Sequence, residues 1–185
     1  MNAMIPAAKP IVGDEERAAV DRVLQSGMIA QGPEVKTFEE EFAQVMTAGR
    51  TCVAVNSGTS GLHLGLLACG IGPGDEVLVP SFTFAATANS VAITGATPVF
   101  VDIEPDYFCM DPADAEAKIT ERTKAIVVIN PNNPTGAVYS REVLEGIVQI
   151  AREHSLLLLS DEIYDRILFD DAVHIPLATL APDLL

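Results

Sequence analysis

Apolar positions along the chain change period near residue 50, and that change divides the sequence into two kinds of structure. Between residues 14 and 25, Ala18, Val20, Val23 and Leu24 recur at helical spacing behind a crowded acidic first turn, and Gly27 follows as a stop. Residues 33–46 repeat the pattern with Val35, Phe38, Phe42 and Val45 on one face. Two amphipathic helices are therefore expected ahead of the main body.

Beyond them, short β-branched or leucine-rich runs at 52–56, 76–80, 98–102, 125–130 and 156–160 alternate with helix-like stretches beginning at Thr59, Ala85, Pro112 and Arg141. Five strands with four intervening helices make βαβ units, which need a parallel sheet covered on both faces. The runs Ile126-Val127-Val128-Ile129 and Leu156-Leu157-Leu158-Leu159 show no polar alternation, as expected of strands buried on both faces, so both are expected at the centre of the sheet. Ser140 is a natural N-cap for a helix with Val143, Leu144, Ile147, Val148 and Ala151 on its core face.

Composition narrows the function. A formal charge of -15 on 185 residues opposes the phosphate neutralisation that nucleic-acid binding requires, and it disfavours an anionic membrane surface. Cys52, Cys69 and Cys109 are odd in number and set among apolar residues, the pattern of reduced core thiols in the cytoplasm. Residues 1–6 show no basic segment leading into an apolar one, and no apolar run reaches the length of a membrane span. His63, His154 and His174 have no ligand spacing with one another or with the cysteines, so no metal site is expected.

In open parallel sheets, ligands bind beyond the carboxyl ends of the strands, and the polar motifs fall there. Asn56-Ser57-Gly58-Thr59-Ser60-Gly61 turns from a run straight into a helix, where main-chain N–H groups and two hydroxyls can converge on an anion. An ordinary capped helix start reads the same way. Phe82 and Phe84 follow the next run, and either ring can pack in a core or face an aromatic ligand. Asn133 is fixed by Pro134 in Asn130-Pro131-Asn132-Asn133-Pro134-Thr135-Gly136. Asp161 ends an apolar strand, where an ionised carboxylate is costly unless a cation answers it. Tyr164 follows within one helical turn.

Together these motifs resemble those of the fold-type-I pyridoxal-phosphate aminotransferases, in two parts. Residues 5–126, through Ala8-Lys9-Pro10, Gly32-Pro33-Glu34-Val35, Asn56-Ser57-Gly58-Thr59-Ser60-Gly61-Leu62-His63 and Pro80-Ser81-Phe82-Thr83-Phe84, are similar to the DegT/DnrJ/EryC1/StrS sugar aminotransferases. Residues 127–185, through 130–136 and 161–165, resemble class I aminotransferases of the alanine or aromatic type.

The resemblance implies a three-layer α/β large domain, incomplete at its C-terminal end, with a helical segment at 1–48, a cofactor-binding part at 49–185 and a junction near 126. It implies pyridoxal 5'-phosphate bound through Gly58, Thr59 and Ser60 at the phosphate, Phe84 against the ring, Asn133 and Tyr164 at the ring oxygen and Asp161 at the ring nitrogen. It also implies an amino-acid donor, a keto-acid or keto-sugar acceptor, and a homodimer.

Both families hold the cofactor covalently through a later lysine. Lys9, Lys36, Lys118 and Lys124 match no such position, so no catalytic residue is assigned and any cofactor is expected to be held non-covalently. In the shared fold two further strands separate the 52–56 and 156–160 runs, which implies that 156–160 lies at an open edge here and can associate through it. A non-catalytic binding or assembly module, or a fragment without activity of its own, is the alternative.

Overall fold

The computed structural model describes residues 10–184. The chain separates into two compact units, Met1–Ala54 and Val55–Leu185.

In the first unit, α1 (Asp14–Ser26) starts with three acids in its first turn and stops at Gly27, which takes a left-handed φ of 72°. The second helix, α2 (Pro33–Met46), begins on a proline whose missing N–H costs nothing at that position. Both expected helices form, but their apolar faces stay largely open. No residue of α1 is buried, and in α2 Phe38 and Phe42 meet each other, ring centroids 5.8 Å apart, while remaining exposed.

The second unit is a four-stranded parallel sheet, β1 (Glu76–Pro80), β2 (Thr97–Val101), β3 (Thr123–Ile129) and β4 (Leu157–Asp161), in the order β2-β1-β3-β4. Helices α3 (Gly58–Ala68) and α4 (Ala86–Ile93) lie on one face. The other face carries α5 (Pro112–Ala117), α6 (Arg141–Glu153) and α7 (Leu177–Leu180).

Alternation along β3 divides the two cores. Ala125, Val127 and Ile129 join Leu66 and Val91 on the α3 side, and Ile126 and Val128 join Leu144, Ile147 and Leu177 on the other. Every one of these residues is essentially inaccessible, which is why residues 125–129 of β3 read as an unbroken apolar run. The α6 core face forms as expected, and Ser140 caps it by accepting from Val143 N at 3.3 Å.

Two expectations about strands are corrected. Residues 52–56 form no strand, since β-branched residues make a strand only by pairing and no described strand lies beside them; Val53 is 73% exposed. The 156–160 run is not central but supplies β4, an edge strand paired with β3 alone. Its composition reflects covered faces rather than covered flanks: Leu157 and Leu159 pack on the α3 side and Leu158 on the α6 side. The open edge implied by the resemblance is the one observed.

A third correction concerns the thiols. Only Cys109 is a core residue, its thiol pushed up to about 12 by burial. Cys52 is half-buried and Cys69, at the C-cap of α3, is exposed. No helix among the described residues is long and apolar enough to cross a membrane.

Candidate active site

From β1 the chain passes through α4 to β2 on one side, whereas from β3 it passes through α6 to β4 on the other. The carboxyl ends of β1 and β3 therefore flank the point at which the strand order reverses, where open α/β sheets form their ligand crevice.

Asn132 closes this crevice from within. Its amide Nδ2 donates to the Phe82 carbonyl at 3.3 Å and to Thr135 Oγ1 at 2.9 Å, so the loop after β1 is tied to the loop after β3. Asn132 is 1% exposed, and its Oδ1, like the buried Thr83 Oγ1, has no hydrogen-bond partner. Asn130 supports the same loop by accepting from Tyr139 N at 3.1 Å, while its main-chain N–H donates to the Asp161 carbonyl at 3.0 Å.

The turn itself has cis peptides at Asn130-Pro131 and Asn133-Pro134. It brings Asn133 Nδ2 within 3.4 Å of the Tyr164 hydroxyl, a long contact that joins two expected site residues 31 positions apart.

Asp161 stands at the end of β4 beside them. Its Oδ1 accepts from Ile163 N at 3.3 Å, and it makes no ion pair among the described residues. Burial raises its carboxyl above the ordinary aspartate range; the Ile163 N–H works the other way, and the neighbouring Glu162 charge adds to the rise. The site therefore contains an anion short of a cation.

The expected phosphate cup is in part an ordinary helix cap. Ser57 accepts from Ser60 N at 3.1 Å, and Ser60 Oγ donates to Asn56 Oδ1 at 2.7 Å and lies 3.0 Å from Ser57 Oγ. These bonds commit the Ser60 amide and hydroxyl locally. The amides of Gly58 and Thr59 remain without an acceptor among the described residues, and a Cβ on Gly58 would meet nothing within 4 Å. A link from Ser90 Oγ to the Thr59 carbonyl, at 3.3 Å, fastens this helix start to α4.

Phe84 stands at the start of α4, 58% exposed. Of the two phenylalanines it is Phe82 that meets another ring, edge-on to Phe108 with centroids 6.0 Å apart. Asn133 and Tyr164 are thus brought together, with Asp161 three residues before Tyr164, whereas Gly58, Thr59, Ser60 and Phe84 lie on other elements and make no hydrogen bond to these three among the described residues.

The lysines fall elsewhere. Lys118 Nζ donates to the Phe100 carbonyl at 2.8 Å and pairs with Asp114 at 2.6 Å. Lys124 is near the amino end of β3, and Lys36 lies on α2 facing Glu40; Lys9, with Ile5 and Ala8, is outside the described residues. Sequence reasoning also missed one cluster: Glu116, Glu153 and His154 gather within 4.8 Å of one another, all exposed, at the ends of α5 and α6. Only tertiary contact joins positions so far apart in the chain.

A parallel sheet with its polar loops gathered at a strand-order reversal is the frame of the fold-type-I aminotransferases, and comparison with known proteins gives the same class. The model of the DegT/DnrJ/EryC1/StrS aminotransferase family matches residues 10–162, and the chain belongs to that family. The match runs through position 126 and so spans both parts that the motifs distinguish.

An alanine aminotransferase of Mycobacterium tuberculosis (strain H37Rv) is 53% identical over 134 residues, 72% of this chain and 31% of the relative. The spore coat polysaccharide biosynthesis protein SpsC of Bacillus subtilis is 42% identical over 160 residues, 86% of this chain and 39% of the relative. Among solved structures, the aspartate aminotransferase from Thermus thermophilus with maleate superposes with a TM-score of 0.77 at 34% identity, covering 91% of this chain and 46% of that one. The chain thus spans less than half the length of each of these proteins.

Proposed function

We propose that this chain supplies the ring-and-phosphate-binding part of a pyridoxal 5'-phosphate-dependent aminotransferase that moves an amino group from an amino acid to a keto acid or keto sugar. Asp161 carries the reading: a half-buried carboxylate, raised by burial and without an ion pair among the described residues, suits a protonated pyridine nitrogen. Asn133 and Tyr164, already within 3.4 Å of each other, would hold the ring oxygen from one side. Phe84 offers a ring face, and the N–H groups of Gly58 and Thr59 with the Thr59 hydroxyl suit the phosphate at the start of an eleven-residue helix. Ser60 acts chiefly by shaping that start, given its bonds to Asn56 and Ser57.

When bound, the cofactor supplies an electron sink for the bonds around the amino acid's α-carbon. The residues described here bind and orient it. No described lysine stands at the carboxyl ends of the strands, which favours a non-covalent complex with these residues.

Adding pyridoxal 5'-phosphate to the chain and recording induced circular dichroism in the cofactor band tests the reading. The expected result is a signal lost on dialysis and no lysyl adduct after borohydride; absence of any induced signal overturns it.

Association through β4 belongs to the same proposal. The outer flank of β4 is covered at one rung, where Leu158 N donates to the Leu184 carbonyl at 3.3 Å, and is otherwise available to a homodimer partner or another strand. Size-exclusion chromatography over a concentration series reads this directly: a monomer throughout rejects it.

A further inference from the structure

Asp161 ends β4 and Tyr164 lies in the turn that follows, so the position of both depends on how that turn is held. Beyond the ladder bond from Asn130 N to the Asp161 carbonyl and the long 3.4 Å contact between Asn133 Nδ2 and the Tyr164 hydroxyl, the main-chain N–H groups of the turn bond locally, Ile163 N to Asp161 Oδ1, Asp165 N to the Glu162 carbonyl and Ile167 N to the Tyr164 carbonyl. The strand it leaves is paired on one side only, and Ile163 within it is 67% exposed.

Glu162 ties the turn to the opposite side of the molecule, the core under α6. Its Oε1 accepts from Ser160 Oγ at 2.7 Å and from Leu177 N at 2.9 Å, and Leu177, 1% exposed, belongs to the core on the α6 side. Leu177 opens α7, whose N-cap is Pro176 and offers no side-chain acceptor, so Glu162 caps that helix from 15 residues upstream. The other oxygen, Oε2, faces His174 Nε2 at 3.6 Å; the His174 side chain is 8% exposed and Nε2 has no hydrogen-bond partner. One carboxylate thus joins the end of β4, residue 174 and the start of α7.

We propose that Glu162 is a positioning residue, fastening the 161–164 turn to the core through Leu177 and so holding Asp161 and Tyr164 in place. What the turn serves rests on the cofactor reading above; that Glu162 holds it does not. The role depends on reach rather than charge. Glutamine keeps an oxygen at the Oε1 position for Ser160 and Leu177 and turns its NH2 toward His174 Nε2. Aspartate keeps the charge but falls short by one methylene, roughly 1.5 Å. A purely electrostatic effect of Glu162 on Asp161 would show the opposite order, disturbed by E162Q and spared by E162D.

Native-state amide exchange read by mass spectrometry separates the two, with β3 as the internal reference. Relative to wild type, E162D is expected to speed exchange in residues 161–167 roughly tenfold or more, the loss of a charge-assisted hydrogen bond, with β3 unchanged. E162Q should stay within about threefold over the same segment. Wild-type exchange in E162D, equal acceleration in E162D and E162Q, or a uniform rise that includes β3 would each overturn the proposal.

In parallel, the induced circular dichroism of added pyridoxal 5'-phosphate should fall in E162D and persist in E162Q. If wild type itself gives no such signal, the cofactor reading fails while the exchange data still decide the role of Glu162.

Discussion

Two carboxylates at opposite ends of the sheet are treated in opposite ways. Glu76 opens β1 at the amino ends of the strands, nearly buried, and is met by the Thr120 hydroxyl at 2.6 Å and by the Arg122 guanidinium, whose Nε lies 3.0 Å away. Those hydrogen bonds, Thr120 first and then Arg122, hold its carboxyl below the ordinary glutamate range. Asp161 closes β4 at the carboxyl ends with a single N–H and a like charge beside it, and its carboxyl is raised. The Glu76 carboxylate is answered from within the chain, whereas the Asp161 carboxylate makes no ion pair among the described residues.

Substitutions at these two edges should therefore separate binding from stability. The largest effect expected is on binding: Asp161→Ala should weaken pyridoxal 5'-phosphate roughly a hundredfold or more in a dichroism titration, because it removes the anion proposed to face the ring cation. A loss below about threefold would show that Asp161 does not face the ring.

Glu76→Ala belongs to the other class, lowering unfolding free energy by about 2 kcal/mol in urea melts at pH 7 and leaving cofactor affinity unchanged. Because the folded pKa of Glu76 is depressed, its contribution is present above the ordinary glutamate value and fades as pH falls through the folded one, so the gap between the two proteins should close in acid.

Ser57→Ala tests the shared ground between capping and binding. Loss of the acceptor for Ser60 N should cost about 1 kcal/mol by the same melts and weaken the cofactor only modestly, since Gly58 and Thr59 keep their free amides.

The smallest effect is a gain. Asp161→Asn removes a carboxylate whose folded pKa is raised, so the variant should melt slightly higher than wild type at neutral pH. In the window starting at the ordinary aspartate value, wild-type stability falls as pH rises, and the two Tm values should converge on acidification. A lower Tm for the variant at pH 7 would mean that the Asp161 charge is compensated in the folded chain.

Much of this contrast was legible in the sequence, though unevenly. Asp161 stood out because a charge at the end of Leu156-Leu157-Leu158-Leu159 has no obvious reason to be there, and Asn133 because two Asn-Pro pairs crowd one strand end. The helix around Val143, Leu144 and Ile147 and the apolar 125–129 stretch of β3 were equally plain, since one pattern of residues decides each. Glu162, Asn132 and Glu76 gave no signal of that kind. Each acts through a partner far along the chain, Leu177, Phe82 and Arg122 respectively, and such pairings become visible only once the sheet is assembled. The 52–56 run misled for a related reason: its residues suit a strand, but pairing is a property of neighbours.

Strand order also sets a timetable. On the ribosome β1 and β2 emerge first and can pair through the short α4 crossover, but the flank of β1 that faces β3 stays bare until residues 123–129 have been made. At about 5–20 residues per second that interval lasts on the order of seconds, with Val77, Leu78 and Val79 awaiting a neighbour. The strand that most defines the finished sheet is thus the third to arrive, and the interval before it is when a nascent chain of this topology is most open to mispairing.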